Sequence, residues 1–93
     1  MTSAQPIAEV EIYFSAFCPF CRRAKALLDR KQVPYTLYDV DQQPRLRQEM
    51  TQRSRRTSVP QIFINQQSIG GCDDVHALDR SGRLDALLSV APH

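Results

Sequence analysis

The N-terminal part of the chain carries a strand pattern, a helix pattern and a second strand pattern in direct succession. Residues 9–14 alternate between polar and apolar side chains, which predicts a β-strand. Residues 19–30 begin with Pro19, which suits the first position of a helix, and their apolar side chains recur every three or four residues. Residues 35–40 are rich in β-branched and aromatic side chains and predict another strand. This order predicts a parallel, right-handed β-α-β unit.

The rest of the chain predicts a helix, a hairpin and two more helices. Helix-start residues and a modest apolar stripe predict a helix over residues 41–53. Residues 61–64 and 67–69 read as two strands of a hairpin with a turn between them. Paired aspartates predict a helix start near residue 73, and leucines predict a short last helix over residues 84–88. The result is an α/β fold of order β-α-β-α-β-β-α-α, with a four-stranded mixed sheet flanked by helices.

The chain has 93 residues, which suffices for one packed core and is too short for two domains. We expect one domain over residues 9–89, a flexible N-terminal tail at 1–8 and a C-terminal tail at 90–93. The N-terminus lacks the basic and apolar regions of a secretory signal, and no apolar run is long enough to cross a bilayer. With an odd count of three cysteines, these features predict a cytoplasmic protein without a membrane partner. We expect it to be a monomer.

A cluster of arginines lies near the middle of the chain. The net charge is only +2, so nucleic acid is not expected as a partner, although it remains one alternative for this cluster. The other two are a solvated helix face with its loop and a site for a small anionic ligand. The cluster consists of Arg45, Arg47, Arg53, Arg55 and Arg56.

Two cysteines flank the start of the first predicted helix. A thiol reacts as its thiolate, and the N-terminal end of a helix favours that anion. Cations follow in the first turns at Arg22, Arg23 and Lys25, where a sequence selected only for helix stability would carry acids. Cys21 lies one turn beyond Cys18 on the same helix face. The pattern predicts that Cys18 attacks and that Cys21 resolves.

Two other interpretations of the cysteines stay open. They are two small core residues that happen to be close, or they are ligands of a tetrahedral zinc ion. The zinc set would be Cys18, Cys21, Cys72 and His76. Zinc would consume the thiolates whose position at a helix start suits thiol exchange, and a chain with this much apolar pattern does not need a metal to fold.

Three short motifs occur in the order and spacing of one protein family. From about Val10 to Leu88 the chain resembles a dithiol glutaredoxin of the thioredoxin-like fold. The resemblance implies an enzyme that uses glutathione as co-substrate to reduce protein disulfides and mixed disulfides with glutathione. It also implies an indirect link to glutathione reductase and no metal. The motifs are Cys18-Pro19-Phe20-Cys21, Thr57-Ser58-Val59-Pro60 and Gly70-Gly71-Cys72-Asp73-Asp74.

The resemblance also implies roles for single residues in binding glutathione. Val59-Pro60 is similar to the family's cis-proline turn, where the valine backbone pairs with the cysteinyl part of glutathione. Asp74, with Asp73, would bind the ammonium group, and Arg47 would reach the glycine carboxylate. The full implied set is Tyr13, Phe20, Arg47, Ser58, Val59, Pro60, Gly71, Cys72, Asp73 and Asp74.

The chain departs from the family pattern at three positions. Ser15 stands where a lysine usually reaches the glycine carboxylate, which puts the affinity for glutathione in doubt. Arg55 replaces a frequent glycine, and a left-handed backbone there would cost roughly 1 kcal/mol. Phe20 replaces a more common tyrosine, which should be nearly neutral.

Two rival functions within related proteins stay open. Some relatives hold an iron–sulfur cluster with the first cysteine and glutathione, although Pro19-Phe20 is bulkier than the small residues typical of them. A thioredoxin-type reductant served by a flavoenzyme is the second rival, and the segment from Gly70 to Asp74 argues against it.

Overall fold

The computed structural model describes residues 7–91, so both predicted tails lie partly outside the described residues. The elements occur in the predicted order, and their ends agree with the predicted ends to within one residue, except that α2 begins three residues later than predicted. None of the helices within residues 7–91 is both long enough and apolar enough to cross a membrane. The elements are β1 (Val10–Phe14), α1 (Pro19–Arg30), β2 (Thr36–Asp39), α2 (Pro44–Ser54), β3 (Gln61–Ile64), β4 (Gln67–Gly70), α3 (Cys72–Arg80) and α4 (Arg83–Leu88).

The four strands form one mixed sheet in the order β2-β1-β3-β4. β2 runs parallel to β1, with Leu37 opposite Ile12, and α1 makes the crossover between them. β3 is antiparallel to β1, with Ile62 opposite Ile12, and β4 is antiparallel to β3. The predicted α/β architecture is therefore confirmed. Because α1 follows β1 after a short loop, its N-terminus lies at the carboxyl end of β1.

The alternation of β1 divides the core into two halves. Val10 and Ile12 pack with the apolar faces of α1 and α3 on one side of the sheet. Tyr13 packs on the other side with Met50 of α2 and Phe63 of β3. All five side chains are at most 2% exposed, so both faces of the sheet are covered by helices.

The core also includes a residue from the predicted N-terminal tail. Ala8 is buried, and its backbone N–H donates to the carbonyl of Leu88 at 3.0 Å. At the other end, the carbonyl of Val90 accepts a hydrogen bond from Asn65 at 2.8 Å. Ala8 and Val90 therefore both contact the packed part of the chain.

The half of the core beneath α2 contains a buried ionic network centred on Arg53. Its guanidinium donates to both carboxylate oxygens of Glu11 at 3.1 and 3.0 Å and to the hydroxyl of Tyr13 at 2.8 Å. It also lies 4.0 Å from the centroid of the Phe63 ring. Burial raises the pKa of Glu11, but the hydrogen bonds from Arg53 and Tyr38 outweigh burial and lower the pKa overall. The network joins α2 to the sheet through paired charges.

The hairpin turn uses a left-handed backbone at two residues that are not glycine. Asn65 and Gln66 have φ values of 52° and 71°, and positive values at both positions are what a type I′ turn requires. The Asn65 side chain fixes the turn further, because its Oδ1 accepts the backbone N–H of Glu9 at 2.8 Å. The predicted turn between the two strands is confirmed.

Arg55 ends α2 in the left-handed conformation that the sequence analysis raised as a question, with φ 63° and ψ 19°. Its side chain is exposed and makes no hydrogen bond or ion pair with any described residue. We expect Arg55→Gly to raise the free energy of unfolding by about 1 kcal/mol, because glycine adopts this conformation without strain from a Cβ atom. Urea denaturation of the two proteins measures the effect, and an unchanged or lowered stability would contradict it.

Candidate functional site

Cys18 caps the N-terminal end of α1 with its sulfur. Its backbone is extended, and Sγ accepts the backbone N–H of Cys21 at 3.2 Å. That N–H is one of the donors at the start of a helix that have no partner within the helix, so the positive end of the helix points at the sulfur. The arrangement suits a thiolate, as the sequence predicts for the attacking cysteine.

Cys21 lies one turn deeper and is only 1% exposed. Burial raises the pKa of its thiol to about 12, and the hydrogen bond with the Cys18 thiol acts in the same direction. Cys18 is partly exposed, so the two sulfurs differ in access. The buried thiol stays protonated while the outer thiol is available to a substrate.

The loop before β3, which contains Val59 and Pro60, lies next to Cys18. The Val59–Pro60 peptide bond is cis, as the family resemblance implies. The Cys18 thiol donates toward the carbonyl of Val59 at 3.6 Å. Gln61 is 1% exposed and donates through Nε2 to the carbonyl of Ser58 at 2.9 Å, so a buried side chain of β3 fixes the shape of the loop.

The start of α3 forms the far end of the site. Asp74 Oδ2 accepts the backbone N–H of Gly71 at 2.9 Å and lies 3.0 Å from Nη1 of Arg56. The pKa of Asp74 is lowered by the Gly71 hydrogen bond first and by Arg56 second. Gly70 has a φ of 113°, and a Cβ atom there would lie 2.3 Å from Asp74 Oδ2. The absence of a side chain at Gly70 therefore leaves the space that the Asp74 carboxylate occupies.

A cleft of about 260 Å³ lies between the cis-proline loop and the start of α3, and Phe20 of α1 also lines it, whereas Cys18 and Cys21 are not among its lining residues. It collects eight of the residues that the sequence analysis assigned to glutathione. Arg56 and Gln61 also line it, and neither was assigned to the site from the sequence. Arg56 was visible only as one member of an arginine cluster, and Gln61 only as the first residue of a strand. The eight assigned residues are Phe20, Ser58, Val59, Pro60, Gly71, Cys72, Asp73 and Asp74.

Two assigned residues do not line this cleft. Tyr13 is fully buried on the α2 side of the sheet, and its hydroxyl donates to Glu49 at 2.6 Å. Arg47 donates through Nη1 to the carbonyl of Thr57 at 3.2 Å, which is next to the cleft residue Ser58. The hydrogen bond to Glu49 thus holds Tyr13 inside the core. Arg47 lies next to the cleft without lining it.

Ser15, the residue that departs from the family pattern, contacts the same carboxylate as Arg47. Its hydroxyl donates to Asp41, and Nη2 of Arg47 lies 3.6 Å from that carboxylate. Asp41 therefore links Ser15, which follows the carboxyl end of β1, to Arg47 of α2. A cation is therefore present near this end of the site although Ser15 supplies none.

Two exposed aromatic side chains flank the outer thiol. Phe17 is 87% exposed and Phe20 is 52% exposed, on either side of Cys18 in the sequence. The guanidinium of Arg23 lies 5.7 Å from the centre of the Phe20 ring. Exposed apolar side chains, one of them with a cation close by, therefore adjoin Cys18 in the chain.

The zinc alternative depends on Cys72 and His76 approaching the cysteine pair. Cys72 Sγ lies 3.4 Å from Nδ1 of His76, and burial followed by the charge of Asp73 raises the pKa of the Cys72 thiol. Among residues 7–91, no group of three or more histidine, cysteine or acidic side chains is placed to bind a metal ion. The geometry gives the proposed four-residue set no support.

Comparisons with known proteins agree with this geometry. The family model for glutaredoxins matches residues 10–69. Glutaredoxin 3 of Escherichia coli is 55% identical over 82 residues, which cover 88% of this chain and 99% of the relative. The solution structure of glutaredoxin from Brucella melitensis is 46% identical, with a TM-score of 0.81 over 94% of this chain and 95% of that chain. The crystal structure of a buckwheat glutaredoxin–glutathione complex also has a TM-score of 0.81, at 27% identity over 90% of this chain and 83% of that chain.

Sequence, fold and site geometry now lead to the same family. A capped thiol and a buried thiol lie at the start of the first helix, beside a cis-proline loop. The family model covers most of the chain, and relatives match it over nearly their whole length. The chain belongs to the glutaredoxin family of thiol–disulfide oxidoreductases.

Proposed function

We propose that this protein uses glutathione to reduce protein disulfides and mixed disulfides with glutathione. The observation that carries the proposal is the position of Cys18 Sγ, which accepts a helix N–H at 3.2 Å and lies 3.6 Å from the carbonyl of Val59. A nucleophilic sulfur is thereby held beside an acceptor for a peptide N–H of glutathione.

In this proposal glutathione lies along the cleft in an extended form. Its cysteinyl part pairs with the backbone of Val59, so its sulfur approaches Cys18. Its γ-glutamyl carboxylate meets the backbone N–H groups at the start of α3, and its ammonium group meets Asp74. Arg47 remains the proposed partner of the glycine carboxylate because it lies against Thr57, and Tyr13 is left out of the proposed contacts because it is fully buried.

Reduction of a glutathionylated protein needs only the outer thiol. The Cys18 thiolate attacks the glutathione sulfur, a Cys18–glutathione disulfide forms, and the protein thiolate leaves and takes a proton. A second glutathione thiolate then attacks the glutathione sulfur of that disulfide. Glutathione disulfide forms, and the Cys18 thiolate is released.

Reduction of a protein disulfide uses both thiols. Cys18 attacks one substrate sulfur and forms a mixed disulfide. Cys21 then loses its proton and attacks Cys18, which releases the substrate as a dithiol and leaves a Cys18–Cys21 disulfide. Two glutathione molecules restore both thiols and leave as glutathione disulfide, which glutathione reductase reduces.

We place this activity in the cytoplasm. The proposed cycle needs reduced glutathione, and glutathione keeps thiols reduced in that compartment. We propose that the protein acts as a monomer, because one chain supplies both thiols and every wall of the cleft described above.

The test is turnover of a small glutathionylated disulfide, followed as NADPH consumption through glutathione reductase. We expect saturable turnover with glutathione and none when thioredoxin reductase replaces glutathione and its reductase. Turnover with thioredoxin reductase alone would overturn the proposal and support a thioredoxin-type reductant. A brown protein that binds iron and sulfide but does not turn over the substrate would overturn it in favour of an iron–sulfur cluster carrier.

A further inference from the structure

Arg56 and Asp74 form an ion pair at the end of the cleft where α3 begins. Nη1 of Arg56 lies 3.0 Å from Oδ2 of Asp74, and both side chains line the cleft. The two side chains are 54% and 45% exposed, respectively. The pair therefore presents a cation and an anion side by side to a molecule that enters the cleft.

Backbone contacts fix both members of the pair. Asp74 is held by the N–H of Gly71 at 2.9 Å, in space that a side chain at Gly70 would fill. The backbone N–H of Arg56 donates to Oγ of Ser54 at 3.0 Å, and the same hydroxyl donates to the Arg56 carbonyl at 3.2 Å. The loop that carries the guanidinium is thus tied to the last residue of α2.

Each member of the pair retains atoms for a ligand. Within residues 7–91, the Arg56 guanidinium makes one hydrogen bond, through Nη1, and Oδ1 of Asp74 accepts none. Nη2 and Nε of Arg56 can therefore donate to a carboxylate, for which a guanidinium is well shaped. Oδ1 of Asp74 can accept from an ammonium group at the same time. A group with ammonium and carboxylate on one carbon atom matches this arrangement.

We propose that Arg56 is a specificity-determining residue that binds the α-carboxylate of the γ-glutamyl group while Asp74 binds the ammonium group on the same carbon. The inference rests on the proposed glutathione-dependent function and adds a residue to it. An ordinary peptide has no free carboxylate beside its N-terminal ammonium group, because that carboxyl is in the peptide bond. The pair therefore selects the γ-linkage of glutathione.

Two analogues of glutathione, each lacking one charge, test the assignment. The peptide 4-aminobutyryl-cysteinylglycine lacks the α-carboxylate, and glutaryl-cysteinylglycine lacks the α-ammonium group. Each analogue and glutathione itself are joined to the same small thiol as a mixed disulfide, and kcat/KM is measured for all three. We expect Arg56→Gln to lower kcat/KM roughly tenfold for the two disulfides that carry the carboxylate. For the 4-aminobutyryl disulfide we expect the variant to stay within about twofold of wild type.

Arg55→Gln is the matched control, because it removes the same charge from the neighbouring exposed residue and is expected to leave all three substrates unchanged. An equal loss on all three substrates for Arg56→Gln would show that Arg56 acts through the loop or through Asp74. A gain in kcat/KM for the glutathione disulfide would show that Arg56 competes with the ligand's ammonium group. Either result overturns the assignment.

The wild-type protein separates failure of this inference from failure of the proposed function. If it does not reduce the glutathione mixed disulfide with glutathione, the proposed function fails. If it does so and Arg56→Gln matches it on every substrate, only the role of Arg56 fails.

Discussion

Replacement of Cys18 by serine is expected to lower the turnover of glutathionylated substrates by at least about 10³-fold. A serine hydroxyl at this position is not ionised at neutral pH and does not attack a disulfide. Cys21 does not replace the lost thiol, because burial raises its pKa and it is only 1% exposed. The coupled glutathione reductase assay measures the loss directly.

Cys21→Ser is the matched comparison for that experiment. We expect it to keep the turnover of glutathionylated substrates, because Cys18 and one free glutathione molecule complete that cycle. We expect it to lose most of the reduction of a protein disulfide, which needs the second thiol. Activity in Cys18→Ser above about one tenth of wild type would mean that another group is the nucleophile.

Replacement of Arg53 by methionine is expected to lower the free energy of unfolding by about 3 kcal/mol. The change leaves the carboxylate of Glu11, which is 7% exposed, without its bidentate partner in the core. It also removes the cation that lies over Phe63. For a chain of this length we expect the Tm to fall by more than about 10 °C, measured by circular dichroism.

A second change in the same network identifies the cause. Glu11→Leu combined with Arg53→Met is expected to recover part of the loss, since it removes the unpaired charge. Arg45→Met, on the exposed side of the same helix, is the control and should change stability by less than about 0.5 kcal/mol. If the double variant were less stable than Arg53→Met alone, an unpaired Glu11 would not be the source of the loss.

The same pair predicts a pH dependence of stability. The pKa of Glu11 is lower in the folded protein than in the unfolded chain. Its contribution is therefore complete above the unfolded pKa of about 4.3 and is lost as pH falls through the folded pKa. We expect the stability difference between wild type and Arg53→Met to shrink as pH falls below about 5, in urea denaturation at a series of pH values.

The elements were predictable because their signals are local. The alternation of residues 61–64 and the change of period after Pro19 lie within single elements, and the structure confirms both. Asn65 and Gln66 mark the hairpin turn from their position between two strand patterns. The one end that differs by more than one residue is the start of α2, which begins at Pro44 because the preceding polar residues belong to the loop.

The site was predictable where the motif itself supplies the atoms. Val59, Gly71 and Asp74 line one cleft, as the resemblance implied. Tyr13 could not be placed from its position in β1, because the side of a strand that faces a ligand depends on which helix covers it. Arg56 was hidden for a similar reason. Its partner Asp74 is eighteen residues away, and only the hairpin between them brings the two together.

The burial of Cys21 affects whether Cys21 or free glutathione attacks a mixed disulfide at Cys18 first. Burial raises the pKa of the Cys21 thiol, so little of it is ionised at neutral pH and its attack on a mixed disulfide at Cys18 is slow. Free glutathione can therefore reach that disulfide first, and its concentration decides how substrate is divided between the two routes. We expect Cys21 to resolve a larger fraction of the mixed disulfide as the pH rises. We expect it to resolve a smaller fraction as the glutathione concentration rises. Under the proposed function, we therefore expect the chain to work mainly with one thiol when glutathione is abundant and with two when glutathione is scarce.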